Sequence, residues 1–289
     1  MIARALTLAA TLYAVAASAF DNFDPVPGGI AGVTVAESGA AAPTAWFGSH
    51  RLPVLDLERG RVAVVGLDLD LAPGFYVVNV VDDEDHHDSR RFPVRPLARP
   101  IYTIEVPDEP PLAELVARHR EALAVPGVAP AADGETPDLD FVLPVDLPIR
   151  FQFGRLNFGG TGLTAPFPGL GFVSDREARV ASPSFGQVIA VDARDGAWRV
   201  VIHHGGGVVS MFRHLAAVDV VVEQWLSKGD PIGVLPRRNN VRLLPDWAVA
   251  LNAAWVDPLL LVSHRIDLGP EPAPPLAPSP ASDLQGATQ

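Results

Sequence analysis

The stretch V-V-I-H-H-G-G-G, residues 200–207, and the S-M-F-R-H-L that follows it at residues 210–215 decide the fold of the second half of the chain. Strand signals continue on both sides of this stretch, and helical periodicity is absent there. His203 and His204 are adjacent, so their side chains point to opposite faces of a strand and cannot both face one metal ion. A β domain is therefore predicted over residues 141–264.

Other pieces of this half surround that stretch in a recognisable order. They are F-G-R at 153–155, P-F-P-G-L-G at 166–171, V-A-S-P-S-F-G-Q-V at 180–188, K-G-D-P-I-G at 228–233, and Trp247 with N-A-A-W-V-D-P at 252–258. In this order they resemble the lysostaphin/LytM family of zinc metallopeptidases, which cleave the peptide cross-links of peptidoglycan. The resemblance covers roughly residues 148–262 and implies a strand-rich, half-open domain of the barrel-sandwich type.

The resemblance also implies where the family's zinc ligands would lie, and those positions are altered in this chain. The first and second ligand positions fall on Phe167 and Gly171, which have no lone pair to donate, and the third falls on Asp246. The two catalytic histidines of the family correspond to Leu244 and His214. Catalytic zinc needs about three N or O donors and an open position for water. We therefore predict a pseudoenzyme without a metal or other cofactor, in which His214 is a relict.

Basic residues mark the rim of the expected cleft. Arg237, Arg238 and Arg242 replace the glycine-rich loop of active family members, and Trp247 follows them. Guanidinium groups suit carboxylate partners, although surface loops carry such charges routinely. These four residues are the candidate binding residues.

The first half of the chain, residues 24–106, has short alternating strands separated by turns rich in glycine and proline, which predicts a small immunoglobulin-like β-sandwich. Its strands are expected at residues 30–36, 44–47, 52–57, 61–67, 75–81, 91–94 and 102–106. A helix over Leu112–Leu123 and a linker, together residues 110–140, follow this module. The predicted fold class is therefore all-β with one connecting helix.

The run D-D-E-D-H-H-D, residues 82–88, has the composition of a metal cluster. It lies between two predicted strands, so a solvated hairpin tip is the favoured interpretation. Loose binding of a divalent cation is the alternative.

The chain begins with M-I-A-R, an apolar run at residues 5–17 and the triplet A-S-A at 17–19, the pattern of a secretory signal peptide. Cleavage is predicted after Ala19. A membrane anchor is the alternative, but the run is shorter than the ~20 residues that span a bilayer. The mature protein is expected to be periplasmic or secreted, with no membrane span.

Composition limits the possible partners and the source of stability. The formal net charge of −12 lacks the basic footprint of a nucleic-acid binder. The chain has no cysteine, so its stability must come from buried cores. Residues 268–289 form a tail rich in proline and alanine, which is predicted to be disordered.

The leading hypothesis is a non-catalytic envelope protein that binds peptidoglycan, or that regulates or scaffolds cell-wall hydrolases or synthases such as amidases, as the resemblance implies. The first alternative is an active murein metalloendopeptidase with a relocated site built from Asp246, His204 and His214. The second alternative is a simple peptidoglycan-binding module in which aromatic rings stack on sugars, if those rings are exposed rather than in the core. The rings in question belong to Phe167, Phe172, Trp247 and Trp255.

Overall fold

The computed structural model describes residues 22–105, 111–127, 136–159, 161–194, 196–238 and 243–263. The expected signal peptide and the proline-rich tail lie outside these residues. Within them, strands dominate and one α-helix and one 3₁₀ turn are present, so the all-β fold class is confirmed. No helix among these residues is long and apolar enough to cross a membrane.

The first half forms a β-sandwich of two antiparallel sheets. Its strands are β1 (Ile30–Ala36), β2 (Thr44–Phe47), β3 (His50–Leu52), β4 (Val54–Leu57), β5 (Gly60–Gly66), β6 (Gly74–Val81) and β7 (His87–Val94). One sheet has the order β1-β5-β4 and the other the order β3-β2-β6-β7. The strand expected at 52–57 is divided at Pro53, where the chain passes from one sheet to the other. A proline suits this point because it has no N–H for a ladder.

The three-stranded sheet is covered on both faces. Its inner face packs in the sandwich, while Ile30, Leu55 and Val64 belong to the same core cluster as Val249 and Leu251 of the second half. Strand β5 accordingly has a continuous apolar run rather than an alternating one.

The second half is a barrel-sandwich of further short strands around this shared core. These are β8 (Ile101–Ile104), β9 (Ile149–Phe151), β10 (Gly154–Phe158), β11 (Thr164–Phe167), β12 (Gly171–Phe172), β13 (Ala178–Ala181), β14 (Gly186–Arg194), β15 (Ala197–His203), β16 (Val208–Leu215), β17 (Ala217–Val218), β18 (Trp225–Leu226), β19 (Pro231–Leu235), β20 (Trp247–Leu251) and β21 (Ala254–Val256), and a 3₁₀ turn at Pro258–Leu260 follows. The main sheet has the order β18-β14-β15-β16-β20-β21. Strand β8 joins neither sheet of the sandwich and instead pairs in parallel with β10.

Helix α1 (Leu112–Ala122) is docked on the second half rather than free in a linker. Nη2 of Arg213 donates to the carbonyl of Ala122 at 2.8 Å, and Nε1 of Trp255 donates to the carbonyl of Leu123 at 2.7 Å. These donors satisfy carbonyls that have no partner inside the helix. Nε2 of His119 donates to the carbonyl of Pro166 at 2.7 Å, and burial lowers the pKa of His119 below its ordinary value.

A partly buried ion pair joins the end of the sandwich to the 3₁₀ turn. Nη1 of Arg99 lies 2.8 Å from Oδ2 of Asp257, and Nε of Arg99 donates to the carbonyl of Pro27 at 3.0 Å. The two side chains of the pair are 11% and 14% exposed. Burial raises the pKa of Asp257, and the Arg99 guanidinium opposes this rise.

Replacing Arg99 with methionine should lower the free energy of unfolding by about 2 kcal/mol, because the Asp257 carboxylate stays buried without its cation. The matched control is Arg95→Met, which removes a largely exposed pair with Asp24 and should cost less than about 1 kcal/mol. Urea denaturation measures both. Equal losses in the two variants would contradict the role assigned to the Arg99 pair.

Candidate functional site: a closed Asp246–Arg238–His214 cluster

Asp246, which directly precedes β20, is the centre of a buried polar cluster. Nη2 of Arg238 lies 2.6 Å from each of its carboxylate oxygens. Nδ1 of His214 donates to Oδ1 at 2.8 Å, and the backbone N of Phe172 donates to Oδ2 at 2.8 Å. The side chains of Arg238 and Asp246 are 7% and 2% exposed. Both carboxylate oxygens are therefore already engaged by protein donors.

A bulge in β16 directs His214 toward this carboxylate. Phe212 pairs with Val200 while Leu215 pairs with Trp198, so β16 has one extra residue between these two pairs. His214 lies in that extra segment with φ of 61°, a left-handed conformation that non-glycine residues rarely adopt. Such strained positions often occur at functional sites, where the surrounding structure maintains them.

The glycine-containing loop before β12 lies against the same residue. The backbone N of Asp246 donates to the carbonyl of Leu170 at 2.9 Å, and N of Leu170 donates to the carbonyl of Trp247 at 2.8 Å. A Cβ added to Gly169 would lie 2.2 Å from that Trp247 carbonyl. Only glycine at position 169 lets the loop come this close to the backbone of Trp247. This close contact brings Gly171 and Phe172 next to Asp246.

The loop that carries Arg238 is fixed by backbone pairing. N of Arg238 donates to the carbonyl of Ser174, and N of Ser174 donates to the carbonyl of Arg238, both at 2.7 Å. Nη2 also reaches the carbonyl of Phe172 at 3.2 Å. Nε and Nη1 of Arg238 are buried with no acceptor among the described residues, so Asp246 is the main counter-charge of this guanidinium.

The geometry of this cluster does not fit the zinc that the sequence resemblance implies. His214 and Asp246 supply one imidazole and one carboxylate, whereas Phe167 packs edge-on against the ring of Phe151 at 5.7 Å. Zinc needs about three donors, and a guanidinium repels a cation and has no lone pair to offer. Among the residues that the structure describes, no group of three His, Cys, Asp or Glu could hold a metal ion.

The other residues predicted for the site are distributed between surface and core. Leu244 is half-buried two positions before Asp246, and Arg237 is exposed. Trp247 is fully buried, with its ring stacked near Phe141 and Phe212, so the geometry assigns it to the core rather than to an open cleft. Arg242 lies outside the described residues. Of the aromatic side chains considered for sugar stacking, all are at most 6% exposed: Phe167, Phe172, Trp247 and Trp255.

His204 belongs to a separate network. Its Nδ1 donates to the carbonyl of Phe185 at 2.8 Å, and its Nε2 accepts from Oγ of Ser210 at 2.9 Å. Burial lowers the pKa of His204 to about 4. Both ring nitrogens are occupied by these partners, so the described structure does not bring His204 together with Asp246 and His214 as a ligand set.

Residues 82–86 form the tip of the β6–β7 hairpin, as the sequence indicates, and His87 and Asp88 already pair with β6 as the first residues of β7. Oδ1 of Asp82 accepts from the backbone N of Glu84 at 3.0 Å and of His86 at 2.8 Å. The side chains at the tip are exposed. These backbone hydrogen bonds close the turn, and they also lower the pKa of Asp82.

A shallow cavity of about 330 Å³ opens beside the cluster. Its lining includes Ser174, which pairs with Arg238, and the charged residues Asp146, Asp175 and Arg176. Sequence reasoning missed this cavity because its charged residues lie in two loops that only the folded chain brings together.

Comparison with known proteins gives one family match and one informative structural match. Residues 166–245 match the model of peptidase family M23. No curated protein sequence matches the chain. A crystal structure of a candidate M23 peptidase from Pseudomonas aeruginosa is 29% identical, with a TM-score of 0.57, over 84% of this chain and 96% of that one.

Two more distant structures share less of the fold. A zinc-containing peptidase from Vibrio cholerae is 16% identical, with a TM-score of 0.37, over 70% of this chain and 52% of that one. Csd3 from Helicobacter pylori is 14% identical, with a TM-score of 0.37, over 75% of this chain and 76% of that one.

Proposed function

We propose that this chain is a non-catalytic cell-envelope protein, because residues 166–245 match the model of peptidase family M23 and the carboxylate of Asp246, directly after them, is paired with a buried arginine. It would bind peptidoglycan peptides or the proteins that cut and build them. The single observation that carries this proposal is the Arg238–Asp246 ion pair, which engages the carboxylate that the sequence resemblance assigns to a zinc-ligand position of the family.

Active members of this family depend on zinc, which lowers the pKa of a bound water so that it can attack a peptide bond. In this chain the altered positions Phe167 and Gly171 supply no donor, and Arg238 neutralises the charge of Asp246 from within the protein. His214 keeps its place at the cluster, where Nδ1 is committed to Asp246. Its role is then to orient and satisfy the carboxylate rather than to move a proton.

The cavity next to this cluster supports a binding role. The cavity lining contains two acidic residues, Asp146 and Asp175, and one basic residue, Arg176. A second basic residue, Arg237, is exposed nearby, next to Arg238. This mixture of charges fits peptides that carry both amino and carboxylate groups. The predicted signal peptide supports a location in the envelope, where such peptides occur.

The test uses the mature chain from Phe20 onward and purified sacculi, with an active M23 endopeptidase as positive control. We expect no stoichiometric zinc by plasma mass spectrometry, no release of muropeptides, and co-sedimentation with sacculi. Asp175→Lys should weaken co-sedimentation, whereas the equally charged change Asp219→Lys, at an exposed residue outside the cavity lining, should not. Release of muropeptides that a chelator abolishes would overturn the proposal.

A further inference from the structure

The outer face of the sheet β3-β2-β6-β7 is an apolar surface that none of the residues described by the structure covers. Phe75 and Val77 of β6 are 64% and 44% exposed. Trp46 of β2 pairs with Asn79 and therefore lies diagonal to Val77 on the same face. The opposite sheet of the sandwich is covered by the second half of the chain, so this face is the side of the module that stays uncovered within the described part of the chain.

The charges on this face are positive although the chain is acidic. Arg91 pairs with Val77, and its guanidinium lies 4.0 Å from the ring centroid of Phe75. Arg51 pairs with Trp46 on the other side of the apolar residues. None of the outward-pointing positions on these four strands is Asp or Glu. We call this set, Arg51, Trp46, Phe75, Val77 and Arg91, the outer face.

The complementary charge is found at the far end of the same strands. The hairpin tip carries Asp82, Asp83, Glu84 and Asp85, all exposed. Phe75 and Val81 are six residues apart on β6, which corresponds to about 20 Å of extended strand. A two-fold axis halfway along β6 would therefore bring the acidic tip of one copy over the Phe75 and Arg91 end of another.

We propose that the outer face binds a second copy of this chain, with the two β6 strands antiparallel and each hairpin tip against the other copy's Arg91. Such an isologous contact is self-complementary, as a two-fold interface requires. Val77 and Trp46 would be buried near its centre, and Phe75 and the charged residues would lie toward its two ends, where the charges set the register.

The size of the sheet predicts a weak dimer. The four strands contain 23 residues. At about 3.4 Å per residue and about 4.8 Å between strands they give a face of roughly 380 Å² per copy, below the area of a standard stable interface. We therefore expect a dissociation constant on the order of 10 µM.

Sedimentation velocity of the full mature chain over a concentration series tests the proposal. Arg91→Glu and Asp83→Arg should each weaken dimerisation at least about tenfold, because each places like charges in contact. The double variant should regain most of the lost affinity, because the charges are then exchanged. Arg120→Glu, at an exposed helix position away from this face, changes the net charge equally and should have no effect.

Any of three contrary results would overturn the proposal. If the chain remains monomeric at a protein concentration about ten times the expected dissociation constant, it has no such interface. A dimer that Arg91→Glu and Asp83→Arg leave intact uses a different surface. Weakening without recovery in the double variant excludes the antiparallel arrangement. Thermal melting of each variant verifies folding, since these side chains are exposed. None of these results depends on zinc content, muropeptide release or co-sedimentation with sacculi, so a failure of the dimer proposal leaves the proposed function standing.

Discussion

Replacing Asp246 with asparagine is expected to lower the free energy of unfolding by about 3 to 5 kcal/mol, because it leaves a guanidinium buried without its counter-charge. The cost should be high because Arg238 is 7% exposed and has no other acidic partner among the described residues. Replacing Arg238 with methionine should be similarly costly, since the carboxylate then keeps only His214 and the backbone of Phe172.

The decisive measurement is a double-mutant cycle in urea. The variant that combines Arg238→Met with Asp246→Asn should be clearly more stable than the sum of the single losses predicts, because neither charge is then left alone. Arg237→Met, one position away and exposed, is the control and should change stability by less than about 0.5 kcal/mol. Strict additivity of the two single variants would show that the ion pair does not hold this cluster together.

Lowering the pH from 7 to 4 is expected to remove about 3 kcal/mol of stability through His204 alone. Burial lowers the folded-state pKa of this residue to about 4, from an ordinary value of 6.5. Above pH 6.5 the imidazole is neutral in both states, so its hydrogen bonds contribute fully. As the pH falls below 6.5 the unfolded chain gains a proton first, and stability decreases until the folded-state pKa is reached.

Urea denaturation at a series of pH values measures this loss. His204→Asn removes the titrating ring but keeps an amide that can donate to the carbonyl of Phe185, so its pH dependence should be flatter in this window. The pKa of His119 is also lowered by burial and acts in the same direction, so some slope should remain in the variant. An unchanged slope in His204→Asn would falsify the assignment of this titration to His204.

Most strands of the first half, and the helix, could be predicted from the sequence, whereas the second half was predicted only to be strand-rich. The strand over residues 30–36 and the start of the helix at Leu112 are where the pattern puts them, because alternation and proline punctuation are local properties. The absence of lone pairs at Phe167 and Gly171 also needs no coordinates, since it depends on residue type alone.

The sequence pattern could not show how distant residues combine. Strand β8 has ordinary strand composition, but its parallel pairing with β10 depends on residues about 50 positions away. Tryptophan is a residue type that suits a binding site, yet the ring of Trp247 packs between those of Phe141 and Phe212 and belongs to the core. Propensity and periodicity describe neighbours along the chain and contain no information about such pairings.

The sequence by itself determined that the chain has strand-rich halves joined by a helix, and that the side chains of Phe167 and Gly171 offer no donor to a metal ion. Only the tertiary structure decided which groups surround and neutralise the carboxylate of Asp246. Asp246 is 32 residues from His214 and 74 from Phe172. Their convergence follows from sheet register and from burial, which makes an unpaired charge too costly and thereby requires the Arg238 guanidinium beside it.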